Sequence, residues 1–111
     1  MQLIFKIERF NMAFLVFKDK GLTVGDKKVA EMCTSAIFNY QVIGTGAVVE
    51  FTGSNKPDYD IDNDSDWQPI LTIVSDTPDS EPFRQHCWDN IRYKVIAGAD
   101  VEIYVSSGVS G

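Results

Sequence analysis

The amino-acid sequence predicts an all-β protein of one domain, an antiparallel sandwich or barrel of about eight strands. Three observations carry this reading. Apolar and polar residues alternate over short stretches, as side chains do on the two faces of a strand. Clusters of Gly, Ser, Asn, Asp and Pro cut these stretches about every 8–12 residues. The chain of 111 residues has the length of one domain, and 44% hydrophobic with 12% aromatic residues can fill a core.

The first 18 residues hold two apolar runs, Leu3-Ile4-Phe5-Lys6-Ile7 and Met12-Ala13-Phe14-Leu15-Val16-Phe17. They read either as two strands or as an extended arm followed by a strand. Leu15-Val16-Phe17 is apolar on both faces, which fits a strand covered on both sides or one at an interface. Asp19-Lys20-Gly21 is a turn signal that separates this segment from the sandwich body over residues 19–107. Gly25 to Cys33 fits a strand by alternation, or a short helix with Asp26 as its N-cap.

Ile37 to Ile43 alternates with Phe38, Tyr40 and Val42 on one face. Gly44-Thr45-Gly46 then permits a tight reversal into a strand at Ala47–Phe51. Thr52 to Asp66 is a long polar connection, and Trp67 to Val74 is the next strand. Ser75 to Pro82 is a loop in which Pro78 and Pro82 break ladder pairing. Phe83 to Trp88 suits a short strand. Two final strands follow, Ile91–Ile96 and Asp100–Val105, separated by Ala97-Gly98-Ala99. Residues 108–111 are small and polar and read as a flexible tail.

The net charge of −6 argues against nucleic acid or an anionic membrane as the main partner, since both would repel the chain. It suits approach to a basic patch on another protein. Lys6, Glu8, Arg9 and Asn11 break up the apolar N-terminal stretch, so no signal peptide and no membrane span is expected there. Without a secretion signal, the two cysteines, Cys33 and Cys87, read as free, buried thiols.

The strongest local pattern is the run Asp58, Asp60, Asp62, Asp64 and Asp66. In an extended loop these side chains would share one side and offer a hard cation such as calcium its oxygen ligands. An EF-hand loop needs Gly at its sixth position and Glu at its twelfth. Counted from Asp58 those positions are Asn63 and Pro69, so the EF-hand is excluded. The plainer reading is a solvated acidic loop that keeps sheet edges apart.

His86 is the only histidine, and it neighbours Cys87. Adjacent residues of a strand face opposite ways, so the two do not form a nucleophilic pair, and zinc would need further ligands. The chain shows no Gly-rich phosphate loop, no Ser elbow and no metal-binding His pair. An enzyme is therefore not expected, and neither is a cofactor. Trp67 and Trp88 are candidates for stacking on sugar rings, with core packing as the plainer role. Tyr104 falls opposite the Val101, Ile103, Val105 face.

The ordered set Gly46-Ala47-Val48-Val49-Glu50-Phe51-Thr52-Gly53-Ser54-Asn55, then Trp67, then Ile91-Arg92-Tyr93-Lys94-Val95, then Val101-Glu102-Ile103-Tyr104-Val105 resembles a known family. It is similar to the capsid-decorating staple (cement) proteins of short-tailed bacteriophages. The likeness spans residues 46–105. The acidic loop departs from that family, in which it is shorter and richer in Gly.

The resemblance implies a jelly-roll-like antiparallel β-sandwich on the outer surface of an icosahedral phage head, made in the host cytoplasm. There it would staple neighbouring copies of the major capsid protein, with self-association as a homodimer. Residues 1–18 are the expected capsid-clamping segment, because an arm or edge strand can extend a partner's sheet. Its candidate anchors are Leu3, Phe5, Ile7, Phe10, Phe14 and Phe17, which equally suit this protein's own core. The competing expectation is a glycan- or calcium-dependent binding or adhesion module.

Overall fold

Six strands form one antiparallel sheet in the computed structural model, which describes residues 14–31, 37–76 and 82–108. They are β1 (Phe14–Leu22), β2 (Lys27–Ala30), β3 (Ile37–Ser54), β4 (Gln68–Val74), β5 (Phe83–Gln85) and β6 (Asn90–Gly108). The region from Gly25 to Cys33 thus resolves, where described, into a strand.

Two strands dominate. β3 and β6 pair along their whole lengths, from Ile37 opposite Gly108 to Ser54 opposite Asn90. One half of this ribbon is flanked by β1, which pairs the C-terminal part of β6, and by β5, which pairs the start of β3. The other half is flanked by β2 on β6 and by β4 on β3. The ribbon bends between the halves, which close on a common core in the manner of a sandwich. Phe17 from the first half meets Tyr93 from the second edge-to-face, with ring centres 4.9 Å apart, and Tyr40 meets Phe51 at 4.8 Å. Such pairs add attraction beyond the area they bury.

The expected boundaries of four strands are bends rather than reversals. Gly44-Thr45-Gly46 lies inside β3 and Ala97-Gly98-Ala99 inside β6, opposite one another, where the pairing register shifts. Among the described residues each of these pairs of expected strands is therefore one long strand, and the sheet has six strands rather than about eight. Gly98 has φ +107°, and a Cβ there would lie 2.8 Å from the Ala47 backbone, so the strands approach at the bend as only glycine allows. The turn expected at Asp19–Gly21 is likewise a register shift within β1, which runs on to Leu22. The chain reverses instead at Thr23–Asp26, where the Asp26 amide donates to the Thr23 carbonyl and the Thr23 amide to the Asp26 carboxylate. β1 therefore crosses the boundary drawn at residue 18, and Gly108 ends β6 rather than opening a tail.

Inward positions follow strand alternation. Phe17, Phe38, Tyr40, Val101, Ile103 and Val105 line the first half, and Ala47, Val49, Phe51, Leu71, Ile73, Ile91, Tyr93 and Val95 the second. Each fully buried aliphatic or aromatic side chain contributes about 1.5–3 kcal/mol relative to exposure.

Candidate binding face

The outer faces of the two halves differ. That of the second half is covered by residues 55–67, the loop that holds the aspartate run. Alternation turns Arg92 away from the core, opposite to Ile91 and Tyr93, yet it is only 1% exposed. Its Nε donates to Thr52 Oγ1 at 3.2 Å, and its Nη1 to the Ile61 carbonyl at 2.8 Å and to Asp64 at 3.1 Å. Trp67 closes over it and is itself buried, its indole N–H donating to the Asp60 carbonyl at 3.0 Å. Tyr59 packs edge-on to Trp67 and its hydroxyl donates to Glu31, a bond that pushes the phenol up to about 12.

The aspartates do not line one side of this loop. Backbone bonds from Asn63 to Asp60, from Asp66 to Asn63 and from Trp67 to Asp64 coil it into turns. The carboxylates fan outward to separate partners: Asp62 to Lys27 at 2.9 Å, Asp66 to Lys56 at 3.1 Å, and Asp64 to Arg92 at 3.1 Å and Lys94 at 3.5 Å. The Asp60 carboxylate caps the Asp62 amide, while Asp58 is exposed. Hydrogen bonds from Arg92 hold Asp64, and the Asp60 amide and Lys56 hold Asp66, below the ordinary carboxylate range. Among the described residues no three His, Cys, Asp or Glu side chains gather as a metal site, those of the weak calcium candidate Asp58, Asp60, Asp62, Asp64 and Asp66 included.

Burial of Trp67 also removes it as a sugar platform. Trp88 is half-buried, and its ring lies against the Gly53 backbone. His86 stacks flat on Phe38 with ring centres 4.2 Å apart, and its Nε2 lies 2.6 Å from the Tyr40 hydroxyl. Cys87, between these two inward residues, is free and exposed, which corrects the expectation of a buried thiol; Cys33 lies outside the described residues.

The outer face of the first half carries no such cover from the described loops. Cross-strand partners share a face, so the pairing fixes its rows. Leu15, Ser106, Asn39 and Phe83 form one row across β1, β6, β3 and β5. Lys18, Tyr104 and Gln41 form the next, and Glu102 with Ile43 the last. Leu15 is 56% exposed, Phe83 46% and Ile43 43%. Tyr104 is half-buried and its hydroxyl donates to Glu102 at 2.7 Å. A shallow groove of 360 Å³ runs over this face between Leu15, Tyr104, Gln41 and Pro82. Apolar side chains thus frame a patch of amides and hydroxyls, a composition suited to protein contact.

Of the expected clamp anchors, Phe17 is 2% exposed and belongs to the core. Phe14 enters the sheet by pairing with Ser107. Leu3, Phe5, Ile7 and Phe10 lie outside the described residues. Ile43 and Phe83 are not singled out by the sequence. For Ile43 the signal is the phase opposite to Phe38, Tyr40 and Val42, which marks a solvent face but not which half of the sheet stays uncovered; the face of Phe83 follows only from its pairing with Asn39.

No family model matches the chain, and neither the curated proteins nor the solved structures contain a match.

Proposed function

We propose that the protein is a structural binding module, a staple that decorates the outer surface of a phage head and holds neighbouring major capsid subunits together. The observation that carries this reading is the row Leu15-Ser106-Asn39-Phe83, left uncovered by the described loops, with Ile43 two rows further along the same face, apolar groups exposed on a sheet. The sequence resemblance to capsid-decorating proteins supplies the partner.

Cementing needs no bond chemistry, only affinity for a surface that exists in the assembled shell. Binding that state preferentially stabilises it by mass action. A stable contact of this kind buries about 800 Å² on each partner; on this reading the N-terminal segment or a second copy adds to it. On this reading the sandwich is of the jelly-roll kind, with β3 and β6 each serving as two strands, and a homodimer gains avidity on the lattice.

The test is co-sedimentation with phage heads that lack the protein, followed by heating. Saturable binding that raises the temperature of genome release is expected. Leu15→Asp and Phe83→Asp, which alter only exposed side chains, should lose binding while keeping the far-ultraviolet spectrum. A chain lacking residues 1–11 separates the arm from the face. If the two variants bind as the parent does, the face is not the contact; if the parent does not bind heads, the staple reading fails.

A further inference from the structure

Each of β1, β2, β4 and β5 pairs with a single strand, and the other edge of each meets no described strand. An unguarded edge invites a further strand, and sheets guard theirs with charge, shortness, proline or a bulge. β1 carries Lys18, Asp19 and Lys20 and two register shifts. β2 holds Lys27 and Lys28 in four residues, and β5 is three residues with Arg84 at its centre. β4, of seven residues, has no charged side chain. Its Pro69 and its register shift lie at one end, so Leu71 to Val74 has no such guard.

Two sets of bonds fix the backbone phase of this stretch. Facing residues of an antiparallel pair alternate between exchanging hydrogen bonds and exchanging none. The Ser75 amide donates to the Ala47 carbonyl at 2.9 Å, so the bonded pairs further along are Ile73 with Val49 and Leu71 with Phe51. The far side of β3 agrees. Val95 donates its amide to Asp26 and accepts from Gly25, which leaves Lys94 to bond Glu50 and turns Val49 towards β4. The amides and carbonyls of Thr72 and Val74 therefore point away from β3. They meet no backbone partner among the described residues. Both residues are exposed, Val74 at 38%, while Leu71 and Ile73 belong to the core.

From these observations we infer that the free edge of β4 pairs with the same edge of a second copy, giving a two-fold dimer whose sheet runs on through both β4 strands. The antiparallel register that satisfies both outward residues of each copy sets Thr72 opposite Val74 of the second copy. Each such pair exchanges two bonds, and the two-fold repeats the pair, so two pairs give four bonds.

The register also selects a second copy as the occupant. Thr72 meets Val74 on one face and Ile73 meets its own counterpart on the other, β-branched pairs that suit cross-strand contact. Each chain carries a net charge of −6, yet along this stretch no like charges face each other. The two-fold axis stands perpendicular to the sheet, so the outer faces of both first halves look the same way and can meet one surface together. The edge pairing itself does not rest on what those faces bind.

Sedimentation equilibrium of the full chain tests this. The mass should rise with concentration from 12.4 kDa towards twice that value. In the dimer the Thr72 and Val74 amides should be protected from hydrogen exchange and lose that protection on dilution. The Ile73 amide, bonded to Val49, should stay protected throughout. Thr72→Pro removes only an amide that the ladder does not use, and Thr72→Lys brings like charges to the axis. Each should weaken dimerisation about tenfold or more without changing the far-ultraviolet spectrum. If Thr72→Pro fails to fold, Thr72→Lys decides. A chain that stays monomeric from micromolar to millimolar concentration would overturn the inference. So would a dimer in which the Thr72 and Val74 amides exchange freely, or one that the folded variants leave intact. No phage head enters these measurements, so this inference and the staple reading fail separately.

Discussion

The guanidinium of Arg92 lies 5.0 Å from the centre of the Trp67 ring, and the two side chains bury one another on what would otherwise be a solvent face of the sheet. A desolvated cation over indole gains about 2 kcal/mol or more from the ring's electron density. Here the same cation also donates to a loop carbonyl, a strand hydroxyl and a carboxylate. The Asp64 carboxylate stays largely in water, so the pair avoids the full cost of burying both charges.

Replacing Arg92 with Ala should therefore cost about 2–4 kcal/mol, the sum of lost packing and an orphaned Ile61 carbonyl. Asp64→Asn, at an exposed position, should cost far less. Urea unfolding of both variants checks this, and equal losses would show that the ion pair rather than the arginine's packing secures the loop.

Gly53→Ala should destabilise by about 1–3 kcal/mol, since its Cβ would lie 2.3 Å from Trp88 Cγ and the indole must shift. Trp88→Ala should relieve that clash. The double variant is expected to be less destabilised than the sum of the two single changes. Simple additivity in thermal melts would mean that the ring moves aside at no cost.

Acid should loosen the covering loop. Asp64 and Asp66 titrate below the ordinary carboxylate value of about 3.9. Their contribution is thus complete above that value and is lost as the pH falls through their lower folded values. Between pH 5 and pH 2 the urea midpoint should fall less steeply in Asp64→Asn/Asp66→Asn than in the parent. Identical slopes would assign acid sensitivity to other groups.

Calcium and chelators should leave the melting temperature unchanged within about a degree, because Asp60, Asp62, Asp64 and Asp66 face lysine and arginine or a backbone amide rather than a common centre. A rise of several degrees with calcium would show that the loop rearranges to bind it.

Alternation makes most strand interiors legible, down to the inward phase of Phe38, Tyr40, Ile91 and Tyr93. The glycine signals are harder to interpret. Gly21, Gly44, Gly46 and Gly98 all adopt positive φ, but each serves a register shift in a continuing strand. Local sequence shows that the backbone departs from regular geometry; whether the chain then turns back depends on the partner strand bending at the same place. The aspartate run reads as an extended row for a similar reason. Its shape is set by Arg92, which lies beyond the next two strands, and by the turn around Asn63.

The long ribbon of β3 and β6 has a kinetic consequence. Its nearest pair, Ser54 with Asn90, is separated by all of β4 and β5, and its farthest joins Ile37 to Gly108. No part of the ribbon can form by local zippering, so the entropy of closing a large loop precedes any reward from pairing. Since β1, β2, β4 and β5 all dock on these two strands, neither half has a sheet of its own to fold first. Refolding should be slow for a chain of this size, and the central amides of both halves should exchange through one shared, global opening.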